Sequence, residues 1–213
     1  MSTPRILCLT ADGLPHSHVE QVQDFCFAGA EWIQLRSKQL SDRELEPIAF
    51  EALQVCRQYG SRLIINDRLG LALKIEADGA HLGRQDGDWA QARTRAGKDF
   101  LLGGTVNCLA DARAALVSQA LDYCGVGPYK FTRTKAQLAR LLKPADWQAI
   151  LQLLSDLPCY AIGGIELSDL PDLASYPLSG LAICSALHRD GRRIEHYSEF
   201  LEQYENTAIS HCG

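Results

Sequence analysis

Acids, cations and hydroxyls recur in this chain at one kind of place, the last residues of short apolar runs. The run SRLIIND closes on Asn66 and Asp67, and the next, GAHLGR, leads directly to Asp86. EWIQLR carries Gln34 and Arg36, with Lys38 two residues on. FLLGGTVN ends in Thr105 and Asn107, and DYCGVGP opens into YKFTRTK, with Thr132, Thr134 and Lys135. Cations beside hydroxyls suit phosphate oxygens, which they hold by charge-assisted hydrogen bonds. Two carboxylates from neighbouring strands suit Mg2+, a hard ion that takes one or two carboxylates and fills its remaining positions with water and substrate phosphate. Together these residues point to a diphosphate bound with Mg2+. Gly163 and Gly164 in AIGGI, with Ser185 in ICSA, add a second phosphate site of the backbone N–H type.

Each residue also has a purely structural explanation. Arg36 and Lys38 could form a solvated loop, Asp67 could cap a short helix beginning at Arg68, and Asp86 could close a turn in RQDGD. AIGGI could be only a tight strand-to-helix turn. His81, inside an apolar run, reads as a satisfied core or pocket-wall histidine. Taken one at a time these explanations are strong. They weaken when every such residue sits at the same end of a strand in one fold. No Ser–His–Asp arrangement is visible, and no cysteine has an obvious histidine partner.

The elements that must carry these residues alternate from end to end. Strands are predicted over 5–11, 31–36, 61–67, 79–84, 100–107, 122–128, 158–164 and 180–186. Apolar residues at helical spacing lie between most of them, as in HVEQVQDFCFAGA, DRELEPIAFEALQVCRQYG, LADARAALVSQA, PADWQAILQLLSD and IEHYSEFLEQYE, with Ser41 and Asp42 as polar starters of the second. Strands apolar throughout belong to parallel sheets covered on both faces. Eight of them, each followed by a helix or helical turn, predict a single-domain (β/α)8 TIM barrel over residues 1–213, with a core of about 4–204 and a frayed C-terminal tail. An open doubly wound sheet is the rival. It is disfavoured by the absence of a G-x-G-x-x-G after the first strand and by a repeat that runs unbroken to eight.

The 213 residues include 21 Lys+Arg and 26 Asp+Glu, a net charge of −5 that argues against nucleic acid or an anionic membrane as partner. Its eight cysteines are scattered singly and mostly within apolar runs. They read as small buried hydrophobes in a reducing cytoplasm. No apolar stretch approaches the roughly 20 residues of a membrane span, and the N-terminus has no basic-then-apolar pattern of a signal peptide.

QLRSK, INDR…ADGAHLGRQD, GVGP followed by TRTK, AIGGI and ICSA together resemble the thiamine-phosphate synthase family, from the second strand to the eighth. That resemblance implies a transferase joining a hydroxymethylpyrimidine diphosphate to a thiazole phosphate, or its carboxylate, with release of pyrophosphate. By resemblance, Gln34, Arg36, Lys38, Asn66 and Lys135 hold the pyrimidine diphosphate, with Arg36, Lys38 and Lys135 stabilising the leaving charge. Asp67 and Asp86 hold Mg2+, and Thr105 stands where the family usually has a serine touching the pyrimidine. Thr132, Arg133 and Thr134, with Gly164, Cys184 and Ser185, bind the thiazole phosphate. The partners implied are these small phosphorylated molecules, and a homo-oligomer is allowed for. The chain departs from the family at Thr105 and Asn107, where G-x-S-x-H is usual, and at Tyr129, Lys130 and Phe131, where V-F-P is usual. Two alternatives are a thiazole tautomerase of the same fold and a non-catalytic barrel that senses a phosphorylated ligand. The tautomerase carries a histidine where this chain has Pro128 and lacks the second acid; a sensor has no need of a Mg2+ pair.

Overall fold

A computed structural model describes residues 3–131 and 140–210, with side chains as far as Thr207. Strands and helices alternate in the predicted order. The first half holds β1 (Ile6–Leu9), α1 (His18–Phe27), β2 (Trp32–Leu35), α2 (Asp42–Tyr59), β3 (Arg62–Asn66), α3 (Leu69–Lys74), β4 (Gly79–Leu82) and α4 (Trp89–Ala96). The second holds β5 (Leu101–Val106), α5 (Leu109–Ser118), β6 (Tyr123–Val126), α6 (Pro144–Leu153), β7 (Cys159–Ile162), α7 (Leu170–Leu173), β8 (Gly180–Ile183) and α8 (Arg193–Ser210). All strand neighbours are parallel, and β8 pairs with β1 to close the barrel. Each strand lies inside its predicted run.

Burial on both faces explains why the strands are apolar throughout. Ile33, Leu35, Leu63, Ile65, Leu102, Val106 and Leu181 point outward, into one core shared with the helices. Leu7, Leu9, Trp32, Ile64, Leu101, Tyr123, Tyr160 and Ala182 point inward and fill the barrel. Three aromatic rings occupy that interior: Tyr123 lies 5.4 Å from Trp32 and 5.6 Å, edge-on, from Tyr160. Their bulk is accommodated by small residues opposite. A Cβ on Gly103 would lie 2.2 Å from the Tyr123 ring, so β5 needs a residue without one there.

Local signals set the helix starts. Ser17 and Ser41 each accept a hydrogen bond from the backbone of a glutamate three residues on, Glu20 and Glu44, whose carboxylates in turn accept one from the backbone N–H of the cap. The end of α8 differs from expectation. The helix continues to Ser210, so residues 206–210 extend it rather than fray. No glycine or proline interrupts that stretch, and Thr207 folds its hydroxyl back onto the Gln203 carbonyl at 2.6 Å.

Cys8, Cys26, Cys56, Cys124 and Cys159 are buried free thiols, as expected of small hydrophobes, whereas Cys108, just before α5, is exposed. No helix among the described residues is long and apolar enough to cross a membrane.

A 3-10 segment, Ser185–Gly191, follows β8 and docks on β1 through His188, whose Nε2–H donates to the Leu9 carbonyl at 2.9 Å. Burial, helped by Arg193 and His18, outweighs that bond and pushes the imidazole down to about 4. His188 is therefore neutral in the fold, while in the unfolded chain it takes up a proton below about pH 6.5. Its contribution is complete above that pH and declines as the pH falls from 6.5 towards 4, by about 3 kcal/mol in total. Urea unfolding at pH 7 and pH 4.5 checks this: His188→Gln should lose distinctly less stability between the two than the wild type.

Candidate active site

The acids at the ends of β3 and β4 meet. Asp67 leaves β3 through left-handed backbone (φ 63°), a conformation aspartate tolerates better than most residues. The turn is tight: the Arg68 N–H reaches back to the Asn66 carbonyl at 2.9 Å, and the Asp67 N–H takes the His81 carbonyl of β4 at 2.8 Å. Asp67 does not cap α3, whose start has no side-chain cap at all. Its carboxylate forms an ion pair with Lys38 instead.

Asp86 takes the turn role that its sequence allowed and also stands beside Asp67. It closes a turn, accepting the Gly83 N–H on Oδ2 at 2.8 Å, and its carboxyl is also hydrogen-bonded to that of Asp67. The approach requires Gly83, because a Cβ there would lie 2.8 Å from Asp86 Oδ2. Partial burial and Asp67 raise the Asp86 carboxyl above the ordinary carboxylate range, outweighing Gly83 and Lys38. At Asp67 burial acts in the same upward direction. The bonds from Lys38 and Asp86, with the charges of Lys38 and His81, prevail and hold it below that range. The two carboxyl groups thus shift in opposite directions at the point where hard oxygen donors converge.

Gln34 and Thr105 face the barrel interior, joined by a buried polar chain. Gln34 acts electrostatically on the Tyr123 hydroxyl, which lies 3.1 Å from His81 Nδ1, and His81 Nε2 lies 2.9 Å from Thr105 Oγ1. His81 is thus the satisfied pocket-wall histidine expected from sequence. Asn66 sits beside it in register. Asn107, in the place of the usual histidine, donates from Nδ2 to the Gly127 carbonyl at 2.5 Å and so ties the end of β5 to that of β6.

On the far side, Tyr129 and Lys130 prolong β6 along β7 through N–H bonds to Ile162 (3.0 Å) and Gly163 (2.8 Å). Gly164 has positive φ (66°), and a Cβ there would lie 2.9 Å from both Lys130 Cβ and the Phe131 carbonyl. Lys130 reaches over this loop to form an ion pair with the buried Asp169. Cys184 and Ser185 follow β8, and Arg36 and Asp12 both act on the Cys184 thiol. The other four predicted residues, Thr132, Arg133, Thr134 and Lys135, lie outside the described residues. Gln34, Arg36, Lys38, Asn66, Asp67, Asp86, Thr105, Gly164, Cys184 and Ser185 all belong to the C-terminal end of the barrel or the loops that leave it.

A profile of the thiamine monophosphate synthase family matches residues 6–187. The chain belongs to this family. Among curated members, thiamine-phosphate synthase of Bacteroides fragilis is 35% identical over 81% of this chain and 86% of its own. That of Methanospirillum hungatei is 37% identical over 80% of this chain and 82% of its own. The solved structure of thiamine phosphate pyrophosphorylase from Pyrococcus furiosus superimposes with a TM-score of 0.84 at 27% identity, covering 95% of this chain and 96% of that one.

The end of β1 was missed. Thr10 and Asp12 contact the Arg36–Lys38 loop and His18 contacts both of them, and the available signal was Thr10 and Asp12 in the three residues after the run ILCL. Lys130 and Asp169 were missed as a pair because 39 residues separate them.

Since Asp67 is one cause of the raised Asp86 carboxyl, Asp67→Asn should lower the pH at which Asp86 titrates. Carboxyl carbon NMR across pH 3–7 reads this directly, and an unshifted Asp86 would place the two groups apart.

Proposed function

We propose that this protein is a thiamine-phosphate synthase, a transferase that joins an aminopyrimidine methyl diphosphate to a thiazole phosphate and releases pyrophosphate. The observation that carries this reading is the coupled pair Asp67–Asp86 with Lys38 ion-paired to Asp67, in a chain whose curated relatives carry that name.

In this reaction the bond from the pyrimidine methylene carbon to the diphosphate oxygen breaks, and pyrophosphate leaves with the electron pair. The thiazole nitrogen then supplies a lone pair to the same carbon. That nitrogen carries no proton, so no general base is called for, in keeping with a site composed of cations, hydroxyls and two acids. Arg36 and Lys38, with Lys135, stabilise the negative charge of the departing group. Gln34 and Thr105 orient the pyrimidine through the chain that Tyr123 and His81 hold in place. Gly164 and Ser185, with Thr132, Arg133 and Thr134, keep the thiazole phosphate aligned with the reacting carbon.

Asp67 and Asp86 fit Mg2+, because they offer hard oxygen donors from the ends of two neighbouring strands, where each influences the other's charge. When bound, the ion would supply further positive charge to the diphosphate. A reducing cytoplasm is the compartment that suits seven free thiols among the described residues.

A mass-spectrometric assay with hydroxymethylpyrimidine diphosphate, thiazole phosphate and Mg2+ tests the reading, with EDTA as control. Thiamine phosphate should form only with metal. Asp86→Asn should reduce kcat/KM by about 10²-fold or more with melting close to wild type, and Lys38→Ala by about 10²–10³-fold. No product with either the plain or the carboxylated thiazole would overturn the reading.

A further inference from the structure

Strand β1 delivers Thr10 and Asp12 to the barrel mouth, and nothing in the reaction above employs them. Both are engaged with the loop that follows β2. Asp12 accepts hydrogen bonds from Ser37 Oγ (2.5 Å), the Lys38 backbone N–H (2.7 Å) and His18 Nε2 (3.1 Å). Thr10 Oγ1 accepts the Arg36 backbone N–H at 2.9 Å and lies 2.9 Å from His18 Nδ1. Thr10 is fully buried and His18, the first residue of α1, nearly so.

An ionised Asp12 only accepts, so the Nε2–H of His18 donates to it. Thr10 Oγ1, besides accepting the Arg36 N–H, lies within hydrogen-bond reach of both His18 Nδ1 and the Arg36 carbonyl, at 2.9 and 3.4 Å. Burial of Asp12 works against its charge, but the bonds from Ser37, Lys38 and His18 outweigh it and keep the carboxyl below its ordinary range. The backbone N–H groups of Arg36 and Lys38 and the side chain of Ser37 are thereby tied to the residues that follow β1, so both cations of the loop stand on a held backbone. Ordering that backbone beforehand removes an entropic cost that would otherwise be drawn from substrate binding.

We propose that Asp12, held by His18 and Thr10, is a positioning residue that sets Arg36 and Lys38 for the diphosphate before substrate arrives. The proposal rests on the diphosphate reading of this site. Asp12 is engaged by Ser37, Lys38 and His18 and acts through the residues it holds.

The test uses the full chain with Asp12→Ala and Asp12→Asn, varying each substrate in turn. Calorimetric titration with Mg2+ and inorganic pyrophosphate and a thermal melt accompany it. Asp12→Ala should lose about 10–100-fold in kcat/KM for the pyrimidine diphosphate and weaken pyrophosphate binding to match, the range seen when groups that orient a site's ligands are removed. The KM for thiazole phosphate should not change. Asp12→Asn, which keeps one acceptor oxygen and the shape, should recover part of the loss. Equal losses towards both substrates, or pyrophosphate binding equal to wild type, would overturn the proposal. Should Asp12→Ala not fold, Ser37→Ala removes a single donor to Asp12 and is read by the same criteria. A wild type that binds pyrophosphate yet makes no product would remove the synthase reading alone, and the binding comparison would still decide the role of Asp12.

Discussion

Two carboxyl groups close enough to share a hydrogen bond resist being ionised together, and much of the barrel mouth is arranged around that resistance. Lys38 forms an ion pair with one of them and Gly83 donates to the other, and the Asp86 carboxyl is raised while that of Asp67 is lowered. The arrangement is poised for positive charge. The left-handed turn at Asp67 and the missing Cβ at Gly83 are backbone features that an isolated acid would not need. They make sense as the means of bringing two acids from different strands to one point.

Below the acids the barrel is aromatic, and that choice also reaches the mouth. Tyr123 belongs to the interior layer with Trp32 and Tyr160, yet its hydroxyl extends upward to Gln34 and His81. Packing in the middle of the barrel and hydrogen bonding at its rim are therefore linked through one side chain. A buried polar chain of this kind is stable only when each member is satisfied, and a well-packed ring at its base supplies that fixity.

The fold was largely legible in the sequence because its signals are local and redundant. Strands buried on both faces must be apolar throughout, and Ser17 and Ser41 announce their helices by capping boxes. The end of α8 was not legible, since a helix without a breaker stops where packing and side-chain back-bonding stop rather than at any marked residue. In the site, Asp67, Asp86, Arg36 and Lys38 could be recognised because charged residues at the ends of apolar runs demand explanation. Thr10, Asp12 and His18 could not: they hold another loop, and the contacts that define them span 26 residues along the chain. Lys130 and Asp169 escaped for the same reason. Thr132, Arg133, Thr134 and Lys135 remain expectations from sequence alone.

The two acids differ in what carries them. Asp67 stands on the last turn of a barrel strand, bonded across to β4, whereas Asp86 stands on a surface turn closed by Gly83. An ion between them would meet one oxygen donor with a fixed address and another on an adjustable arm. Discrimination by ionic radius would then be set by how far one four-residue turn can bend, leaving the barrel undisturbed, so metal preference could drift in evolution by substitutions at 84 and 85 alone.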